Sequence, residues 1–189
     1  MAKKILLIYG HPAKETFNRA LLDAYVKGAK LTDAKIQIIN VRSLKFEGLT
    51  RPKNQTIEPD IKKSQEAITW ADHLVFFYPT WWGAMPALLK SFIERTFTSG
   101  FAFRYNKGTL PEKLLRNKSA RVIVTMNAPS LVYRLLLGAP GDKMIKRTML
   151  GFCGVKPVHI THIDTASTCG DEKRARHLQK VEGLGRELR

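Results

Sequence analysis

Cysteine is nearly missing from this sequence: only Cys153 and Cys169 occur among its 189 residues. They form no CxxC pair, and no Cys/His cluster has the spacing of a zinc site. A disulfide scaffold is excluded on that ground, and a reduced, cytoplasmic setting is expected. Long hydrophobic runs are missing too. The basic-then-apolar stretch Met1–Tyr9 is too short to cross a bilayer and has no small-residue cleavage site, so it reads as a buried first strand. There is no GxGxxG, no GxxxxGK[ST] and no GxSxG. Those absences disfavour a Rossmann dinucleotide loop, a P-loop ATPase and a hydrolase nucleophile elbow. His159 and His162 alternate near the end of an apolar run, but no carboxylate stands at metal-ligand spacing from them, so no metal site is expected.

Acidic residues are scarce as well. There are 16 against 32 basic ones, a net charge of +16. Such a field attracts anions, including phosphorylated cofactors. The basic residues are scattered, and no zinc-finger, RNA-recognition or helix-turn-helix signature accompanies them. A solvated basic surface is the expectation, and a nucleic-acid partner is not.

What is present is an ordinary globular mixture, 44% hydrophobic and 25% charged. Apolar runs and helical patterns alternate along the chain. Lys3–Tyr9, Ile36–Val41, His73–Tyr78, Ala120–Met126 and Val155–Thr161 read as strands. Thr16–Leu31, Pro59–Trp70, Pro86–Phe97 and Asp171–Leu188 read as helices, with Pro59 and Pro86 at their starts. Residues 43–58, with Gly48, Pro52 and Asn54, read as a polar loop, Ser99–Asn117 as an aromatic and basic insertion, and 127–150 as a loop followed by a helix. The expectation is an α/β fold: a doubly wound, five-stranded parallel sheet with helices on both faces, in one domain over residues 1–189.

In open α/β sheets ligands gather beyond the carboxyl ends of the strands. Three loops lie there. Gly10-His11-Pro12-Ala13-Lys14-Glu15-Thr16-Phe17-Asn18 follows a strand and opens a helix, whose free N–H groups suit a phosphate. Thr16, Asn18 and His11 add side-chain donors; the bland alternative is that Thr16 only caps the helix. Tyr78-Pro79-Thr80-Trp81-Trp82-Gly83-Ala84-Met85-Pro86 places adjacent tryptophans at a strand end. They read as a flat wall for an aromatic ring system, or as core packing plus one exposed ring. Asn127–Gly141 is the third loop.

The strings GHP…TFN and YPTWWGAMPALLKSFIERTF resemble the flavodoxin-fold NAD(P)H:quinone oxidoreductases, the DT-diaphorase-like group. The resemblance continues through GFAFRY, KGTLPEKLLRNKSARVIVT and FCGVKPV, nearly the whole chain. It also takes in the ancillary reductase subunits of potassium-efflux systems. The resemblance implies that His11, Thr16, Phe17 and Asn18 hold the flavin phosphate, and that Pro79, Thr80, Trp81, Trp82 and Gly83 lie along the isoalloxazine ring. Asn127 and Ala128 then border the ring, with Tyr133 at the family's active-site tyrosine. It implies FMN, with FAD as alternative, NAD(P)H as reductant and a quinone-like acceptor. It also implies a homodimer in which Phe101, Phe103 and Tyr105 are partly covered by the partner. A membrane transporter partner, with peripheral attachment at the inner membrane face, and a flavodoxin-like electron carrier are the alternative readings.

The chain departs from the family in two places. Met126-Asn127-Ala128 stands where Thr-Gly-Gly is common, and Pro140 stands near the place of the histidine that follows the tyrosine. Hydride transfer is the cofactor's chemistry and depends on stacking and orientation. Tyr133 is the one side chain expected to take a direct part, donating a hydrogen bond to the acceptor oxygen as charge develops.

Overall fold

The structure, a computed structural model, describes residues 2–48, 57–106 and 110–188. In chain order its elements are β1 (Lys4–Tyr9), α1 (Phe17–Ala29), β2 (Lys35–Asn40), α2 (Pro59–Trp70), β3 (His73–Pro79) and α3 (Ala87–Thr96). There follow β4 (Phe103–Arg104), β5 (Glu112–Lys113), β6 (Ser119–Thr125), α4 (Ser130–Leu135) and α5 (Pro140–Lys143). A π-helical segment (Met144–Gly151), β7 (Val158–Ile163) and α6 (Asp171–Arg186) complete the chain. Part of the expected polar loop, including Pro52 and Asn54, lies outside the described residues.

The sheet order is β2-β1-β3-β6-β7, and every pairing in it is parallel. Setting aside the small antiparallel hairpin β4–β5, this is the 2-1-3-4-5 order of flavodoxin-like folds. The pleat explains why β1 and β3 read as unbroken apolar runs: both faces of the sheet are covered. Leu6, Ile8, Leu74 and Phe76 point to one layer with α2, α3 and the π-helical segment. Ile5, Leu7, Val75 and Phe77 point to the other, with α1 and α6.

The α1–α6 contact depends on two glycines. A Cβ on Gly28 would lie 1.9 Å from the Glu182 carbonyl oxygen, and one on Gly185 would lie 2.1 Å from that of Tyr25. Backbone meets backbone at both points, which fixes α6 and the residues at its N-terminal end.

Two segments differ from the sequence expectation. The last strand begins at Val158, not Val155. Val155 is fully buried, but as part of the turn that leaves the π-helical segment, its N–H donating to Leu150 O at 3.0 Å. Pro157 has no N–H for a ladder; its carbonyl accepts from Ala120 N at 2.9 Å and so starts the pairing. Residues 127–150 hold two short helices and most of a π-helical segment instead of one loop and one helix. Ala139 at φ 49° and Gly138 at φ 66° break the first helix from the second.

Candidate functional site

Three chain segments converge at the carboxyl ends of β1, β3 and β6. Gly10 N donates to Phe77 O (2.8 Å), Thr80 N to Thr125 O (2.7 Å) and Met126 N to Ile163 O (2.9 Å). These bonds carry the ladder one residue beyond each strand and register the loops against each other. Between the loops lies a cavity of about 300 Å³. His11, Thr16, Phe17 and Asn18 line it from the first loop, Pro79, Thr80 and Trp81 from the second, and Asn127 from the third.

Each side chain is held by identifiable contacts. Thr16 caps α1, its hydroxyl oxygen taking Arg19 N at 3.3 Å and lying 2.8 Å from the Tyr9 hydroxyl. When Tyr9 is the donor, Thr16 keeps its own hydroxyl hydrogen for an anion. His11 Nδ1 accepts from Ala13 N at 2.9 Å, which leaves the neutral ring's proton on Nε2. Burial also lowers the pKa of His11 from the ordinary histidine value, so the ring is a neutral donor. Phe17 is fixed from α6: the Arg174 guanidinium sits 4.8 Å over its ring. Asn18 is 2% exposed. Its Nδ2 donates to Thr125 Oγ1 at 2.6 Å, and its Oδ1 is buried with no partner. Turning the amide over would orphan Nδ2 instead, so one polar atom of Asn18 is left for a ligand either way. Asn127 Oδ1 accepts from Ser167 Oγ at 2.7 Å, tying the third loop to the chain before α6.

The tryptophan segment is a tight turn. Trp81 N donates to Ala84 O (2.9 Å) and Ala84 N to Trp81 O (3.0 Å). Trp82 and Gly83 both have positive φ, 50° and 77°. This is the two-residue I′ geometry, in which glycine is at ease and tryptophan is strained. Trp82 is nonetheless fully solvent-exposed at 104%, and Trp81 is half exposed. A strained backbone presenting a large apolar ring to water points to recognition more than to packing.

Trp82, Gly83, Ala128 and Tyr133 do not line the cavity. Trp82 and Ala128 each follow a lining residue in sequence, and Gly83 lies two positions beyond Trp81. Tyr133 is placed differently from the expectation. It lies within α4, 3% exposed, and its hydroxyl already has two partners. It donates to Gly83 O at 3.0 Å and accepts from Gly141 N at 2.9 Å. Gly141 cannot carry a side chain there, since a Cβ would stand 2.6 Å from Gly83 O. The phenol therefore clamps the tryptophan turn to α5 and has no bond to spare for an acceptor. Behind it, His162 of β7 packs edge-on against the Tyr133 ring (6.0 Å) and pairs with Asp142 at 3.0 Å. A histidine thus stands beside this tyrosine, supplied by the last strand and not by the segment after the tyrosine.

Sequence reasoning missed Thr125, Met126, Ala166, Ser167 and Arg174 as lining residues. Arg174 is one of several basic residues on α6, and no local pattern distinguishes it from its neighbours. Asp164, which accepts from Ser130 N and Oγ, is a further titratable group near the third loop. Burial works against its charge, but bonds from Ser130 and the nearby Lys173 hold it below the usual carboxylate range. Cys153 lies elsewhere in the core, where burial pushes its thiol up to about 11 and away from nucleophilic use.

The flavodoxin-like fold family matches residues 3–184, and the chain belongs to it. A solved Streptococcus mutans protein is 30% identical, with a TM-score of 0.83 over 97% of this chain and 99% of that one. The guinea pig NAD(P)H dehydrogenase [quinone] 1 is 28% identical over 80% of this chain, which spans only 65% of that relative's length. A Bacillus anthracis FMN-dependent NADH-azoreductase, solved in complex with FMN, shares the fold at a TM-score of 0.77 and 16% identity, over 98% of this chain and 99% of that one.

Proposed function

We propose that the protein is a flavin-dependent oxidoreductase that takes hydride from NAD(P)H and reduces a quinone-like acceptor. The observation that carries this reading is the cavity at the strand ends. There, neutral and cationic donors meet an orphaned amide atom beside an exposed aromatic wall. The residues fit a flavin phosphate and its polar chain. The first N–H groups of α1, the His11 Nε2 proton and Arg174 supply donors for an anion. Asn18 supplies the unpaired buried group, and the half-exposed Trp81 lines the cavity with an apolar ring. A flavin bound here would supply hydride acceptance and release. FMN, the group named for the B. anthracis relative, is the proposed flavin. The chain's own part is to bind, orient and keep water from the reacting face.

Purified protein, reconstituted with FMN or FAD where needed, is expected to show flavin absorbance that bleaches with NADH or NADPH. The colour should return on adding a soluble benzoquinone. No binding of either flavin at micromolar concentration would sink this reading.

A homodimer is part of the proposal. The helix α4 and the residues after it expose Leu131, Leu135, Leu136 and Leu137, each more than 60% exposed. Several large exposed apolar side chains within one short segment suit an interaction surface. The insertion aromatics are a poorer candidate: Phe101 and Phe103 pack on the chain's own core, Phe103 against Phe152 at 5.1 Å, and only Tyr105 is exposed. Sedimentation is expected to give a dimer for the parent protein and a shift to monomer for Leu135→Glu with Leu136→Glu. A parent protein that stays monomeric across working concentrations would refute the dimer.

A further inference from the structure

A second cavity, of about 370 Å³, opens beside the tryptophan–tyrosine clamp, at the free edge of the sheet. Ile160 and His162 of β7 form one side. Arg134 of α4, Lys143 of α5, and Lys146 and Arg147 of the π-helical segment surround the rest. Asp142 is the one carboxylate among the described lining residues, and His162 engages it at 3.0 Å. None of the four cations makes an ion pair among the described residues. Elsewhere Arg19, Lys27, Arg95, Arg104 and Lys173 each meet a carboxylate.

Four unpaired cations converging on one hollow repel each other, so an anion there is favourable. The local backbone supports this placement. Lys146 and Arg147 ride on a π-helical segment, a form that is rare and often found at functional sites. Gly151 is needed for it, since a Cβ there would lie 2.7 Å from Lys146 O. A neighbouring groove of about 690 Å³ shares Lys146 and Arg147 and is lined also by Val155, Pro157 and Val158, with Lys113, Lys156 and His159. The cavity is thus cationic, and the groove adds apolar surface from Val155, Pro157 and Val158 among further basic side chains. A phosphate monoester joined to an aromatic base has that same pairing of chemistries.

We propose that this cavity takes the 2′-phosphate of NADPH, with the adenine in the adjoining groove. The proposal rests on the oxidoreductase reading above and deepens it by naming the preferred reductant. A short chain of contacts links the tryptophan turn to this second cavity. Gly83 of the tryptophan turn meets the Tyr133 hydroxyl, and the Tyr133 ring meets His162, which lines the cavity. A monoester dianion offers three oxygens to a ring of Lys and Arg donors, whereas NADH has only a hydroxyl at that position.

The test is calorimetric titration of the purified protein with 2′,5′-ADP, 5′-AMP and inorganic phosphate, alongside flavin reduction by NADPH and by NADH. The expected result is 2′,5′-ADP binding at least about tenfold tighter than 5′-AMP or phosphate, and a matching preference for NADPH. The double variant Lys146→Gln/Arg147→Gln should lower both preferences by about ten- to a hundredfold. Lys62→Gln/Lys63→Gln, the same loss of charge on the exposed face of α2, should lower neither. Equal binding of 2′,5′-ADP and 5′-AMP, or an equal effect of the two double variants, would overturn the proposal. Phosphate binding as tightly as 2′,5′-ADP would also overturn it, leaving only a free-anion site. Tight 2′,5′-ADP binding by a protein that takes no flavin would instead sink the oxidoreductase reading, because the titration does not depend on flavin chemistry.

Discussion

Gly185→Ala is expected to destabilise the protein by about 3 kcal/mol, while Gly183→Ala, on the same helix, stabilises it by up to about 1 kcal/mol. The added atom is the same methyl group in both cases. At Gly183 it meets nothing within 4 Å, so only the helix-propensity gain is felt. At Gly185 it would lie 2.1 Å from the Tyr25 carbonyl oxygen and 3.1 Å from Ala29 N, both backbone atoms of α1. A backbone carbonyl inside a helix cannot swing away as a side chain can. The two helices must separate along their length, exposing the layer formed by Leu21, Leu22, Tyr25 and Val181. For a chain of this size the loss corresponds to a melting point lower by roughly 6–12 °C. Thermal unfolding of the two variants beside the parent checks this. Equal melting points would mean that α1 and α6 are not in backbone contact. The same separation would move Arg174 off Phe17, so flavin affinity should fall in Gly185→Ala and hold in Gly183→Ala.

The layered fold could be read from the sequence because its signals are local and redundant. β3 is apolar at every position except His73, and its neighbour α2 begins at a proline suited to a first turn; both elements fall where the pattern places them, α2 residue for residue. The last strand was displaced because Val155 and Val158 are equally apolar, and only the pairing of the Pro157 carbonyl shows where the ladder begins. The segment from Asn127 to Leu150 resisted reading for another reason. Its run Leu135–Leu137 is apolar yet exposed, so hydrophobicity there reports no core.

Within the site, residues adjacent in sequence were legible and residues brought in from afar were not. His11 to Asn18 and Pro79 to Trp81 sit on two loops whose composition announces them, and the structure brings those loops to one cavity. Arg174 and Ser167 reach the same cavity from the last loop and helix, an arrangement that only the packing of α6 on α1 creates. Asp142 and His162 pair across 20 positions, and their pairing depends on β7 lying at the sheet edge beside α5. Tyr133 illustrates the limit most clearly. The family resemblance implied a catalytic place for it, but the direction of its hydroxyl is set by Gly83 and Gly141, which sequence spacing does not disclose.

That geometry gives Tyr133→Phe a distinct signature. A phenol that acts on the acceptor would, when removed, slow one half-reaction and leave flavin affinity unchanged. A phenol that clamps the tryptophan turn does the reverse. Phenylalanine keeps the ring against His162 but leaves the Gly141 N–H buried without an acceptor and frees the Gly83 carbonyl. An orphaned buried donor costs about 1–3 kcal/mol. Trp82 already holds a left-handed conformation costing about 1–3 kcal/mol, so the turn is poised to relax once the clamp is gone. The expected outcome is a lower melting point together with a flavin dissociation constant raised about ten- to a hundredfold. At saturating flavin, reduction and reoxidation should both run near the parent rates. Stopped-flow kinetics combined with a flavin titration separates the cases. Unchanged stability and flavin affinity with one slowed half-reaction would return Tyr133 to a direct catalytic role, and would require its hydroxyl to exchange Gly83 for the acceptor during turnover.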